Sequence, residues 1–218
     1  MIKVGETPAF SVQEIWYTGW TMRKLILASG SPRRIELLKE EGFEFDIIKS
    51  NYREDMTLPY PPKELAKFLS LGKAKDVAQC VFENAVILGA DTFVVFKGKV
   101  LGKPTSKEKA IETLTHLSGH THSVITGFTL FDTKTKDVYQ EAVESEISFR
   151  EITKEEIEAY VATGEPMDKA GSYAIQGGAE DFVEQVTGSR TNIIGLPVDE
   201  VIKALNEFGV VKEKNRLV

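Results

Sequence analysis

Between an apolar run and a helical pattern, the stretch LILASGSPRRIELL (residues 25–38) gathers Ser29, Gly30, Ser31, Pro32, Arg33 and Arg34. A strand that turns tightly into a helix start leaves backbone N–H groups pointing at whatever lies beyond, and an anion suits them. Ser29 and Ser31 add hydroxyl donors, and Gly30 lets the backbone come close. Arg33 and Arg34 bring fork-shaped guanidinium donors that match phosphate oxygens. In chemical type this is a cradle for a polyphosphate; the plain alternative is a capped helix with two solvated arginines.

Carboxylates form the second constellation. Asp91, in LGADT, stands at the end of an apolar strand pattern, where burial is expected and where an aspartate needs a cation, a metal or strong donors. Glu54, in SNYRED, is suited to share a Mg²⁺ with it, since that ion takes one or two carboxylates together with phosphate oxygens and water. Read alone, Asp91 is also compatible with a turn aspartate and Glu54 with a surface charge. Lys73 in LGKAK and Lys103 in LGKP are placed to neutralise phosphates, although a surface lysine is the simpler reading of each.

Two common nucleotide motifs are absent. GKVLGKP is one residue short of a Walker loop between its glycines and lacks Ser or Thr after the lysine, and no dinucleotide-type glycine fingerprint follows the first strand. His116, His120 and His122 in HLSGHTHS suggest a metal site by spacing. No carboxylate or cysteine accompanies them, so a loop and strand edge is the better reading.

The elements that must hold these residues follow from pattern. KLILA (24–28) predicts a short strand, Ser31 a helix N-cap with Pro32 in the first turn, and Gly42 the helix stop. FEFDIIKS predicts a second strand, and residues 61–82 a helix with Leu65, Leu69, Ala74, Val77 and Val81 on one stripe. A buried strand over 85–89 is expected to break at Gly-Ala-Asp-Thr, with a hairpin turning at Lys97-Gly98-Lys99. Ser106 caps the next helix, two alternating strands flank TKTKD, and Thr153 with Glu156 makes a capping box for a helix over 154–163. A glycine-rich loop from Tyr173 to Ser189 leads to a last helix over 197–207. Hairpins outnumber parallel crossovers, so the expected class is α/β or mixed α+β.

Bulk properties bound the function. The 218 residues carry a net charge of −6, which argues against a protein that coats a nucleic-acid polymer. The single cysteine, Cys80, excludes an intrachain disulfide and a cysteine-rich zinc site. No apolar run approaches the ~18 residues of a membrane span, and residues 1–22 lack the basic start and apolar block of a signal peptide. Those residues, with Trp16, Tyr17 and Trp20, read as an extension of uncertain order, residues 23–207 as the domain, and 208–218 as a polar, frayed tail.

Six blocks, LASGSPRR, GADT, GKP, LSG with its following His, ATGEPMDKAGSYAIQG and NIIGLP, resemble in order and spacing the Maf proteins, nucleoside triphosphate pyrophosphatases also linked to septum formation. The resemblance covers about residues 23–207. It implies the inosine-triphosphatase-like fold: a long, mixed, twisted sheet in two lobes, helices around it, a central nucleotide cleft, and a cytoplasmic homodimer. It also implies cleavage of the α–β phosphate bond with Mg²⁺ or Mn²⁺. On this resemblance Asp91 matches the proton acceptor, and Ser31, Arg34, Glu54, Lys73 and Lys103 match the phosphate and metal shell. Arg33, Thr92 and Gln176 match the positions that separate substrate classes, in the combination of the branch acting on dTTP and UTP. An amide at Gln176 offers one donor and one acceptor to a pyrimidine's N3–H and carbonyl. Arg190 stands where the family usually has an aromatic, and the residues before Glu54 are unusual for it. The alternative reading is a nucleotide-binding regulator of cell division with little catalysis.

Overall fold

The computed structural model describes residues 23–212. The N-terminal segment with Trp16, Tyr17 and Trp20, and the tail beyond Lys212, lie outside the described residues.

The apolar run forms β1 (Lys24–Leu27), and the chain turns through Ser31 into α1 (Pro32–Glu40), which ends before Gly42 at φ +78°. The second strand is shorter than its pattern suggests: β2 is Asp46–Ile47 alone, an exposed edge pair beside β1. Then come α2 (Pro62–Ala78) and β3 (Ala85–Phe96). A turn with positive φ at both Lys97 and Gly98 leads into β4 (Lys99–Leu101). After α3 (Lys107–Leu117), β5 (Thr121–Asp132) and β6 (Val138–Phe149) form a long hairpin. The capping box at Thr153 and Glu156 is present at the start of α4 (Lys154–Ala162).

The sequence loop beyond Tyr173 contains two elements that its composition does not advertise. These are the edge strand β7 (Val183–Thr187) and the short helix α5 (Arg190–Ile194), ahead of α6 (Val198–Glu207). The strands make one mixed sheet in the order β2-β1-β3-β5-β6-β7, with β4 on the end of β3. β1 runs parallel to both its neighbours, and the remaining pairs are antiparallel. The two parallel pairs are joined through α1 and α2, because parallel neighbours need a crossover. The expected mixed α/β class is what the chain adopts.

The largest difference from expectation lies at GADT. It does not interrupt a strand: β3 is continuous over twelve residues and paired with β5 from Val86 to Val95. Its side chains alternate as a strand's must. Val86, Leu88, Ala90 and Val94 face the main core with α3, α4 and α6, while Ile87 and Phe93 lie under α2. The glycine supplies room instead of a break. A Cβ on Gly89 would come within 3.0 Å of the Ala74 backbone nitrogen, and one on Gly127 of β5 within 3.0 Å of the Lys67 nitrogen. Two glycines on adjacent strands thus form a floor on which α2 lies unusually close to the sheet.

Candidate active site

Asp91 follows that floor. It sits in the middle of β3, on the α2 side, directly opposite Gly127, and is buried. Because α2 lies so low, Lys73 on its inner face reaches Asp91 Oδ1, and its ammonium also contacts Glu54 Oε1 at 2.7 Å and the Ala90 carbonyl at 3.3 Å. Lys73 therefore stands between the two carboxylates named from sequence, in contact with both.

Glu54 is held there by packing that its neighbours provide. Asp76 of α2 accepts hydrogen bonds from Ser50 Oγ at 2.7 Å and from the Asn51 N–H at 2.8 Å. The ring of Tyr52 lies against Gly72, where an added Cβ would strike the ring itself. The unusual residues before Glu54 are thus a docking device, and Gly72, Asp76 and Tyr52 are positioning residues that sequence reasoning missed. The available signal was a glycine inside an otherwise strong helical pattern.

The electrostatics of the two carboxylates diverge. Burial pushes the Asp91 carboxyl above its ordinary value, with Lys73 opposing and Glu54 adding to the rise. At Glu54 partial burial acts upward too, but the charge and hydrogen bond of Lys73, with Lys103 and Arg34, more than offset it, and the net shift is downward. The two environments thus leave Asp91 the more basic and Glu54 the more acidic of the pair.

The strand-to-helix turn behaves differently from a simple anion cradle. Ser31 occupies the N-cap position, but its hydroxyl does not cap the helix, so it does not occupy the first-turn amides. Arg34 is buried, and its donors are largely spent within the protein. Nε bonds the Gly195 carbonyl at 2.8 Å, Nη1 the Ala90 carbonyl at 3.0 Å and Ser29 Oγ at 3.2 Å, and Nη2 Thr92 Oγ1 at 2.9 Å. Gly195, at φ +134°, can present its carbonyl this way because the position favours glycine. Arg34 therefore ties α1, β3 and the end of α5 together. Burial draws its pKa down and Asp91 draws it back up, and a guanidinium stays protonated throughout. Thr92 is shared with the same network, bonding Thr126 Oγ1 at 2.9 Å.

In front of these groups lies a cavity of about 980 Å³, lined by Ser29, Ser31, Arg33, Glu54, Lys73, Lys103 and Gln176 among others. A recess of about 170 Å³ continues it down to Asp91 and Thr92. The volume is at the upper end for a small-ligand site and suits a nucleotide. The structure thus brings together every site residue named from sequence. It adds Lys49, Glu165, Asp168 and Lys169 to the walls. The last three belong to the segment EPMDK, whose charges sequence alone gives no reason to place in the cleft.

The donor set fits a divalent cation. Glu54 and Asp91 offer hard oxygen ligands from either side of one positive group, and phosphate oxygens would complete the shell that Mg²⁺ or Mn²⁺ prefers. The histidines are elsewhere. His122 is buried with Nε2 at 2.7 Å from Tyr173 Oη, edge-on to Phe149, and His120 bonds the Ser118 carbonyl at 2.7 Å. Among the described residues no cluster of three or more His, Cys, Asp or Glu is arranged to hold a metal. Nor is any helix among them long and apolar enough to cross a membrane.

Comparison with known proteins follows this geometry. The family model described as "Maf-like protein" matches residues 24–208. A protein of Geobacter metallireducens named dTTP/UTP pyrophosphatase is 45% identical over 190 residues, covering 86% of this chain and 97% of that one. One of the same name from Bacillus anthracis is 44% identical over 190 residues, covering 87% and 97%. The solved structure of the Staphylococcus aureus Ham1 protein is similar over 85% of this chain and 99% of that chain, with a TM-score of 0.45 and 14% identity.

Proposed function

The chain belongs to the Maf family, and from that premise we propose that it hydrolyses the α–β phosphate bond of dTTP and UTP, releasing the nucleoside monophosphate and pyrophosphate. The observation that carries this reading is Asp91: a buried carboxylate, raised in pKa, at the floor of a nucleotide-sized cleft with cationic walls. The reading that the chain is a regulator with little catalysis is not favoured, because the relatives carry the name of an enzyme.

In this mechanism water attacks the α phosphorus in line with the departing pyrophosphate, and Asp91 takes the water's proton. Lys73 holds the Asp91 carboxylate in place and adds positive charge near the reacting phosphorus. Lys103, with the first-turn amides of α1, takes up charge on the phosphate tail, while Ser29 and Ser31 line its path. Arg34 acts at one remove, fixing the turn and Thr92 beside Asp91. Glu54 and Asp91 would hold a Mg²⁺ or Mn²⁺, which when bound supplies charge neutralisation and a more acidic water. Gln176 reads the pyrimidine edge, with Arg33 and Thr92 completing the selection.

A panel of nucleoside triphosphates with Mg²⁺, assayed separately for pyrophosphate and orthophosphate, tests the reading. Pyrophosphate from dTTP and UTP is expected; binding without pyrophosphate, or orthophosphate as the product, overturns it. Asp91→Asn should retain nucleotide binding and lose about 10²–10⁴ in turnover. Assembly as a homodimer in the cytoplasm completes the proposal, and sedimentation of the full chain tests the dimer.

A further inference from the structure

Gln176 is exposed, and its side chain alone cannot choose between pyrimidines. An amide free to turn over serves uracil's N3–H and carbonyl as readily as cytosine's N3 and amino group. A fixed backbone on both sides of Gln176 sets where the amide meets the base and so which edge it can pair, and the structure contains a device placed to fix it.

On one side of Gln176, the Ala174 N–H donates to Tyr160 Oη at 3.1 Å. Tyr160 Oη in turn donates to Glu165 Oε1 at 3.1 Å. On the other side, the Gly178 N–H donates to Glu165 Oε2 at 3.2 Å. One phenol and one carboxylate thus span residues 174–178 and bracket Gln176 between two backbone anchors. The two glycines after Gln176 permit the contact. Neither has positive φ, so conformational freedom is not what they supply. A Cβ on Gly177 would collide with the Glu165 carboxylate, and one on Gly178 would come to 3.0 Å from the Tyr160 ring. The loop lies directly on the pair.

The pair is held by contacts of its own. Tyr160 is buried on α4, with its ring edge-on to Phe182 at 5.4 Å between centroids, and burial raises its pKa so that it stays a donor. Gly164, at φ +81°, ends α4 and turns the chain so that Glu165 points back at the loop; the Glu165 N–H is held by Thr163 Oγ1 at 3.2 Å. A chain of N–H to O–H to carboxylate strengthens each of its links.

We propose that Tyr160 and Glu165 are positioning residues for pyrimidine selection, clamping the loop that presents Gln176. This rests on the reading of Gln176 as the group that meets the base. Tyr160 does not line the cavity, so its influence on the choice of nucleotide can pass only through the loop.

The test compares kcat/KM for UTP and CTP in Tyr160→Phe, Glu165→Gln and Gln176→Ala, with the melting temperature of each recorded. Tyr160→Phe should lower the UTP/CTP ratio by about tenfold, through KM for UTP, with kcat for UTP within about twofold of the parent, and Glu165→Gln should lower the ratio in the same direction. If Gln176→Ala lowers the ratio while Tyr160→Phe and Glu165→Gln change only the melting temperature, the clamp is overturned and the base reading stands. If Gln176→Ala leaves the ratio unchanged, the base reading fails, and the clamp with it. A fall in kcat at constant KM in Tyr160→Phe would also overturn the proposal, because it would place the effect at the phosphates.

Discussion

Asp91 and Gly127 face each other across the β3–β5 ladder, and the missing side chains at Gly127 and Gly89 together let α2 lie low on the sheet, where Lys73 reaches Asp91. The carboxylate and its lysine are thus brought together by positions that carry no side chain of their own. An added methyl at Gly127 would meet the backbone of Ala66 and Lys67, which cannot swing aside as a side chain can.

Gly127→Ala should therefore lift α2. Overpacking of this kind costs about 1–3 kcal/mol, read as a lower denaturation midpoint, and kcat should fall with it as Lys73 withdraws from Asp91. Full activity with lowered stability would show that the Lys73–Asp91 contact is dispensable.

Arg34 and Lys103 carry the same charge into the cleft but are built differently. Arg34 spends its donors on two backbone carbonyls and two hydroxyls, whereas Lys103 is exposed at the cavity rim. Arg34→Lys cannot reproduce the fork, and the buried acceptors it abandons should cost about 3 kcal/mol. Lys103→Ala should leave the melting temperature within a degree or two, roughly what a surface change allows, while raising KM for UTP. Thermal melts beside steady-state kinetics on the two variants check the contrast.

The same contrast shows what a sequence can and cannot disclose. The strand, the helix start and the cationic residues after β1 were legible because local pattern and capping chemistry fix them. So was the capping box at Thr153. GADT was misread as a break because glycine most often marks one; here it answers to a helix brought in from some fifteen residues upstream, which no local window contains. The strand β7 was invisible because an exposed edge carries no alternating apolar pattern, and β2 was overestimated for the converse reason. That Arg34 is buried and bonded to two backbone carbonyls and two hydroxyls was not legible, because sequence does not encode where those partners stand. Arg190, unusual at its place, makes an exposed ion pair with Glu180 at 2.8 Å, on the same loop that carries Gln176.

His122 makes the stability of the fold depend on pH. Burial lowers its pKa from 6.5 to about 4, so the folded state keeps it neutral where the unfolded chain would protonate it. Between those values the unfolded state binds more protons, and stability must rise with pH. The residue should remove about 2 kcal/mol as pH falls from 7 to 5. His122→Gln, which does not titrate, should flatten the denaturation free energy over that interval by that amount; an unchanged slope would show that His122 titrates alike in the folded and unfolded chain.

The two carboxylates around Lys73 set the last prediction. A divalent cation held between Glu54 and Asp91 must share their oxygens with the ammonium that now contacts both, so losing either carboxylate weakens metal binding but with different kinetic consequences. Glu54 is the more exposed and the more acidic of the two, and on the proposed reading it holds charge instead of moving a proton. Glu54→Gln should raise the Mg²⁺ concentration for half-maximal activity by about tenfold, a typical loss for a weakened metal site, and saturating Mg²⁺ should restore most of the rate. Asp91→Asn should stay slow at any Mg²⁺ concentration, because the group that accepts the proton is gone. Chelation should abolish turnover of the parent enzyme, with Mg²⁺ or Mn²⁺ restoring it. If saturating metal rescues both variants equally, Asp91 serves only as a ligand and the proton goes elsewhere.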